Sequence, residues 1–374
     1  MAPRVRELRS GDCAADSAAA ILARDASRSA GAVFAPRLRG SGSGSARRSV
    51  GLLAALLALV AVLVLSVCVG AQPIALDRVW QLVWSPDGSD EAVIVHDLRI
   101  PRTLLGLLVG MALGVAGGLM QALTRNPLAE PGLLGVSAGA AAAIVTAAVL
   151  VGPADPIVYI WFAFAGAALA SVVVYAIGAT GRGGASPVRL ALAGIAVMFA
   201  LNAYVQGLVL VDRAAFDEYR FWQVGALSGQ PMSLTALIAP FIAVGLLLAF
   251  AMSRALNTLA LGDEASRGLG ASPGRTRALG AVAVMLLCGA ATAAAGPIVF
   301  VGLAVPHVAR AIAGPDQRWV LPLCAVLAPV MLLGADIIGR VVARPGEIEV
   351  GIVSALLGAP VFIAIVRRRR IAQL

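Results

Sequence analysis

The chain of 374 residues has no lysine, only two histidines (His96 and His307) and little charge of either sign, 13% in all. Each shortage excludes something. A P-loop of the G-x-x-x-x-G-K-[ST] type sets its lysine on the nucleotide phosphates, so ATP hydrolysis by this chain is not expected. The glycine-rich stretch at 270–276 is no exception, because its glycines lie one residue too close and Arg275 stands where lysine belongs. Two histidines cannot build a multi-histidine metal site. The four cysteines (Cys13, Cys68, Cys288 and Cys324) show no C-x-x-C spacing. Three of them sit in apolar runs and read as small buried hydrophobes, with neither a disulfide framework nor a metal expected.

What is present is hydrocarbon. Sixty per cent of the residues are hydrophobic and the mean hydropathy is +0.90, whereas a soluble domain carries about twice this share of charge. The apolar runs have the length a helix needs to cross roughly 30 Å, and no period-two alternation suggests a barrel. The reading is an all-α, polytopic membrane protein with about ten transmembrane helices, at roughly 49–71, 103–123, 131–151, 157–178, 188–210, 233–253, 276–295, 298–313, 319–339 and 348–366. With the N-terminus inside, 22 of the 29 arginines fall on the inner side and seven outside (Arg78, Arg99, Arg102, Arg213, Arg220, Arg340, Arg344). That asymmetry places both termini in the cytoplasm. Residues 1–48, rich in Ala, Ser, Gly and Arg, read as a disordered cytoplasmic tail ahead of a permease domain at 49–374. In the outer segment 72–98, Trp80 and Trp84 suggest a short helix lying in the interface.

The strongest local signal is a polar, helix-breaking insert at 125–140 between two apolar runs. It holds Arg125, Asn126, Pro127, Glu130, Pro131, Gly132, Gly135, Ser137 and Gly139. Irregular backbone survives at membrane depth only where protein buries it or water lines it, so the insert points to transport rather than anchoring. Just before it, Gly106, Gly110, Gly114 and Gly118 recur every four residues, a bare stripe for close helix packing. The inner loop 253–274 mixes leucines with charges and glycines, predicting two short helices joined at Gly262 and closed at Gly270. Pro306, His307 and Arg310 mark a kinked span end, and Asp336 with Arg340, four apart, predict an internal ion pair. An ion-coupled secondary transporter would want polar sites near the midplane, and the spans offer little beyond Asp336 and His307, both near ends.

These residues carry a family likeness. Arg99-Ile100-Pro101-Arg102, the glycine stripe, Gln121, Asn126-Pro127-Leu128-Ala129-Glu130-Pro131 and Gly132-Leu133-Leu134-Gly135-Val136-Ser137-Ala138-Gly139-Ala140 closely resemble the FecCD family, the membrane permeases of ABC importers for ferric siderophores, haem and cobalamin. The likeness runs on through Phe221 to Leu227, Leu261-Gly262-Asp263-Glu264-Ala265, Leu269-Gly270, Phe300 to Leu303, Pro306-His307, Asp336, Arg340 and Gly358 to Phe362. It implies a type II importer permease for an iron-siderophore complex in the cytoplasmic (inner) membrane of a bacterium. It also implies a second permease subunit, homodimeric or paralogous, a cytoplasmic ABC ATPase dimer that holds the ATP and magnesium, and an extracytoplasmic substrate-binding protein. The chain itself would need no cofactor, bind no metal or nucleic acid, and catalyse no covalent step. By the same resemblance Leu261, Gly262, Asp263, Glu264, Ala265, Leu269 and Gly270, within 253–275, form the ATPase-coupling helices. Arg99, Arg102 and Arg340 face outward to dock the binding protein, and Gln121, Asn126, Pro127, Glu130, Pro131, Gly135 and Ser137 belong to the translocation path and gate. Where the family has Glu-Leu-Pro-Val-Gly, this chain has Glu347-Ile348-Glu349-Val350-Gly351, which adds a charge at the outer gate.

Overall fold

A computed structural model describes residues 41–152, 156–180 and 187–367. Most of the expected tail, 1–40, lies outside the described residues, as do 153–155, 181–186 and 368–374. Fourteen helices are numbered here: α1 Ser41–Cys68, α2 Leu76–Trp84, α3 Ile100–Thr124, α4 Val136–Val151, α5 Pro156–Ala179, α6 Pro187–Val211, α7 Arg213–Gln223, α8 Met232–Ala251, α9 Ser253–Leu259, α10 Asp263–Gly268, α11 Pro273–Ala295, α12 Val301–Ala313, α13 Gln317–Val342 and α14 Val350–Arg367. A turn of helix at Asp90–Val93 and a π-helical turn at Ile94–Arg99 lead into α3. Strands are absent among the described residues.

Seven of these helices are long and apolar enough to cross a membrane alone: α1, α3, α5, α6, α8, α11 and α13. The apolar α4, α12 and α14 are shorter. At about 1.5 Å per residue the 16 residues of α4 and 13 of α12 reach only about 20 to 24 Å, so irregular chain must complete both crossings. All ten expected spans are present as helices, two of them beginning at a break. Helix α1 extends back to Ser41, into residues read as the end of the tail. Near its start Arg47 donates to the Ala311 carbonyl and Arg48 to that of Ala313 at 2.9 Å. These are the unpaired last carbonyls of α12, and satisfying them fixes the first turns of α1.

Burial separates a centre from a rim. The most apolar stretch of α3 is 78% buried and that of α11 67%, against 11% for α1 and α6. The glycine stripe explains how α3 reaches the centre. A Cβ at Gly110 would stand 2.6 Å from the Pro329 backbone, and one at Gly114 2.4 Å from the Ala328 methyl. Bare backbone therefore lets α3 lie directly on α13, as the spacing predicts. On the outer side α2 leaves Trp80 and Trp84 exposed, ring centroids 5.9 Å apart, while burying Val79 and Leu82. The short helix expected within 72–98 is thus amphipathic, with both tryptophans on its open face.

Candidate functional site: a re-entrant break between coupling helices and an outer rim

At the inner end of α3 the chain turns on Arg125, a non-glycine residue in the left-handed region (φ 51°). The amide of Asn126 bonds back to the Gln121 carbonyl at 3.2 Å and its Oδ1 accepts the Leu128 N–H at 2.9 Å, closing an Asx turn. Pro131–Leu134 then forms one 3₁₀ turn, and Gly135 (φ 72°) starts α4. This segment does not stay at the inner surface. It climbs back against the start of α12, where Pro131 approaches Gly302, itself in backbone contact with Gly117 of α3.

Four polar contacts hold the climb. Glu130 Oε1 accepts the Phe300 N–H at 3.3 Å, placing a carboxylate at the positive end of the α12 dipole. Gln121, fully buried, donates to the Leu303 carbonyl at 3.2 Å and accepts from Arg310. His307 Nε2 lies 2.9 Å from the Pro127 carbonyl. A carbonyl only accepts, so that nitrogen carries the proton. Phe300 is the second left-handed non-glycine residue (φ 68°). The two strained breaks, 125–135 and 296–300, thus meet at Glu130 and Phe300, while side chains of α3 and α12 take up neighbouring carbonyls. Of the path residues named from sequence, Gln121, Pro127, Glu130 and Pro131 come together here. Gly135 packs towards α5 and α6, Ser137 sits half-buried in the first turn of α4, and exposed Asn126 serves its own turn.

Beneath the break lie the two expected short helices. Gly262 (φ 99°) and Gly270 (φ 78°) punctuate them where the sequence has glycines for it. Leu261 and Leu269 are 63% and 66% exposed, Glu264 and Ala265 also face out, and the pair forms a protruding knob. Buried Ser266 donates to the Thr258 carbonyl at 2.6 Å and locks α10 to α9. Asn257 donates to Asp316 at 2.7 Å and ties α9 to the N-cap of α13. Asp263, however, turns inward. Its two oxygens accept from Arg277 at 2.8 and 2.9 Å, and Oδ1 also meets Arg125 at 3.3 Å. The Arg277 hydrogen bonds hold its carboxyl below the ordinary range.

The outer rim holds the three arginines named from the sequence. Arg99, Arg102 and Arg340, expected to offer free charge outward, are only 4%, 8% and 1% exposed. Asp336, fully buried, takes Arg102 at 2.7 Å on one oxygen and Arg340 at 2.6 Å on the other, and Arg102 also reaches Glu347. Arg340 continues to the Ser66 and Val69 carbonyls (2.8 and 2.9 Å), Arg99 to those of Val67, Cys68 and Gln72 (3.0, 2.9 and 2.6 Å), and Arg344 to that of Gly70 (2.8 Å). The cause is plain: the last carbonyls of α1 have no helical partner, and the arginines supply donors and favourable charge at the negative end of the dipole.

Inside that rim are two open cavities that share Ser228 and Gly229. One, about 300 Å³, is lined by Arg99, Arg102, Arg340 and Glu347. The other, about 380 Å³, is lined by Glu218, Trp222, Gln230, Ala294 and Glu349, among others. Ser228 donates to Glu349 at 2.8 and 3.0 Å, so the carboxylate added at this position has a partner. Burial raises the Glu218 carboxyl above its usual range. The sequence reading did not single out Glu218 or the helix that carries it. Asp212, whose side chain accepts the Ala215 N–H at 2.8 Å, was the available N-cap signal.

Comparison with known proteins agrees with this architecture. The model of the FecCD transport family matches residues 57–368. The ferric enterobactin transport system permease protein FepD of Escherichia coli K12 is 46% identical over 330 residues, covering 88% of this chain and 98% of that protein. The probable siderophore transport system permease protein YfiZ of Bacillus subtilis 168 is 40% identical over 291 residues, 78% of this chain and 87% of that one. The hemin transport system permease protein HmuU of Yersinia pestis is 34% identical over 302 residues, 79% and 90% respectively. Among solved structures, a chain of an ABC transporter in an inward-facing conformation superposes with a TM-score of 0.75 over 86% of this chain and 99% of its own, at 23% identity, which supports the fold.

Proposed function

The chain belongs to the FecCD transport family, and from that membership we propose that it is the permease subunit of an ABC importer carrying a ferric siderophore across the cytoplasmic membrane of a bacterium. Relatives named for siderophore transport support the substrate class. A second permease subunit completes the path, a cytoplasmic ATPase dimer docks on the α9–α10 knob, and an extracytoplasmic binding protein delivers the chelate to the outer rim. The observation that carries the transport mechanism is the re-entrant break. Strained, irregular backbone at membrane depth, held by a few polar contacts on a second break, is a bistable element rather than a fixed wall. ATP binding and hydrolysis in the partner bias its two arrangements through the knob. This chain supplies position and shape and transfers no bond.

The test is reconstitution of the permease with its ATPase and binding protein in proteoliposomes, following radioactive iron in a ferric siderophore. Uptake is expected to require ATP and to survive collapse of the proton gradient. Uptake that runs without ATP and stops with the gradient would overturn the assignment.

A further inference from the structure

Asp263 stands in the segment that the proposed function gives to ATPase docking, yet its carboxylate is taken up by two arginines of the chain itself. It lies among three elements: the first turn of α10, which carries it, the N-terminal part of α11 at Arg277, and the left-handed turn at the end of α3 at Arg125. The two guanidiniums hold it unequally. Arg277 makes two bonds of 2.8 and 2.9 Å from a side chain 12% exposed, the geometry of a strong bidentate pair. Arg125 makes one contact at 3.3 Å, and its side chain is 32% exposed. One carboxylate therefore has one fixed partner and one that can exchange.

The exchangeable partner is placed to matter. Arg125 is the first residue of the re-entrant segment and holds a left-handed conformation that is unfavourable for a non-glycine residue. Such a residue persists only while its surroundings over-determine it. Five residues along, Glu130 meets the N-terminus of α12. Gly262, immediately before Asp263, takes a φ of 99° that favours glycine and so sets the start of α10 beside Arg125.

We propose that Asp263 is a positioning residue that links the coupling helix to the gate: fixed to Arg277, it makes and releases Arg125 as the knob moves, and so sets the conformation of the break at 125–135. The proposal rests on the ABC-importer reading, and it assigns docking itself to the outward residues Leu261, Glu264 and Leu269. Movement of the ATPase would reach the membrane through one charge-assisted contact, not through a general tilt of the bundle.

The experiment uses the reconstituted importer and measures chelate transported per ATP hydrolysed. Asp263→Asn is expected to lower that ratio about fivefold or more, the size of an ordinary coupling free energy, while the ATPase still co-elutes with the permease. Arg125→Gln is expected to give the same loss, and the double variant no further loss, because the two residues act as one unit. Asp263→Glu, which keeps a carboxylate, is expected to recover most of the ratio. A wild-type ratio in Asp263→Asn would overturn the proposal. So would losses that multiply in the double variant, or an Asp263→Asn permease that no longer holds its ATPase, which would make Asp263 a docking residue. Absence of ATP-driven uptake in the wild type would instead strike the functional reading beneath.

Discussion

At the scale of single residues the outer rim is governed by one carboxylate. Asp336 is fully buried between two guanidiniums, so its loss leaves Arg340 with neutral partners alone and Arg102 with Glu347 as its one carboxylate. Asp336→Asn is expected to destabilise the detergent-solubilised permease by about 3 to 5 kcal/mol, the range for breaking one side of a buried ion pair. Glu347→Gln, which removes a partner 29% exposed at the edge of the same network, is expected to cost clearly less. Thermal unfolding of the two variants side by side checks the order, and equal losses would contradict it. Part of this network was legible in the sequence. Asp336 and Arg340 are one helical turn apart, and a carboxylate in a span asks for a partner. Arg102 was not legible as its other partner, since it is 234 positions away, and the role of all three arginines depends on where α1 ends in space.

At the scale of elements, the sequence announces breaks well and short polar helices poorly. Proline and glycine at 125–140 and around Gly296 mark the two irregular segments because few other residues tolerate those conformations. By contrast α7 and the turns at 90–99 carry mixed polar and apolar residues and are too short to register as spans. What the sequence could not show is that the two breaks meet. Beside that meeting α3 crosses α12 at Gly117, whose added Cβ would fall 1.9 Å from the Gly302 carbonyl oxygen. Gly117→Ala is therefore expected to force α12 away from α3, costing about 1 to 3 kcal/mol as overpacking does and lowering ATP-driven uptake. Gly334→Ala, where nothing lies within 4 Å of the new methyl, is expected to be neutral or mildly stabilising, since alanine is the better helix former. Unfolding and uptake measured on both variants separate a contact effect from a general intolerance of alanine at helical glycines.

At the scale of the whole molecule, both the docking knob and the outer rim depend on orientation, and the arginine distribution argues for it more strongly once the structure is known. Arginines on the outer side weaken a positive-inside signal only if their charges are free to meet the membrane potential and lipid headgroups. Six of the seven have donors taken up within the chain: Arg78 by Asp87 and Glu91, Arg220 by Asp217, Arg102 and Arg340 by Asp336, and Arg99 and Arg344 by backbone carbonyls. Arg99, Arg102 and Arg340 are moreover buried, which weakens the main objection to placing the α9–α10 knob in the cytoplasm. With Cys13, Cys68, Cys288 and Cys324 replaced by alanine and uptake retained, Ser85→Cys in the exposed turn after α2 is expected to react with a membrane-impermeant maleimide in intact cells. Ser272→Cys, exposed before α11, is expected to react only after permeabilisation. The reverse pattern would put the knob outside, where no ATPase could reach it, and would remove the ground for coupling through Asp263.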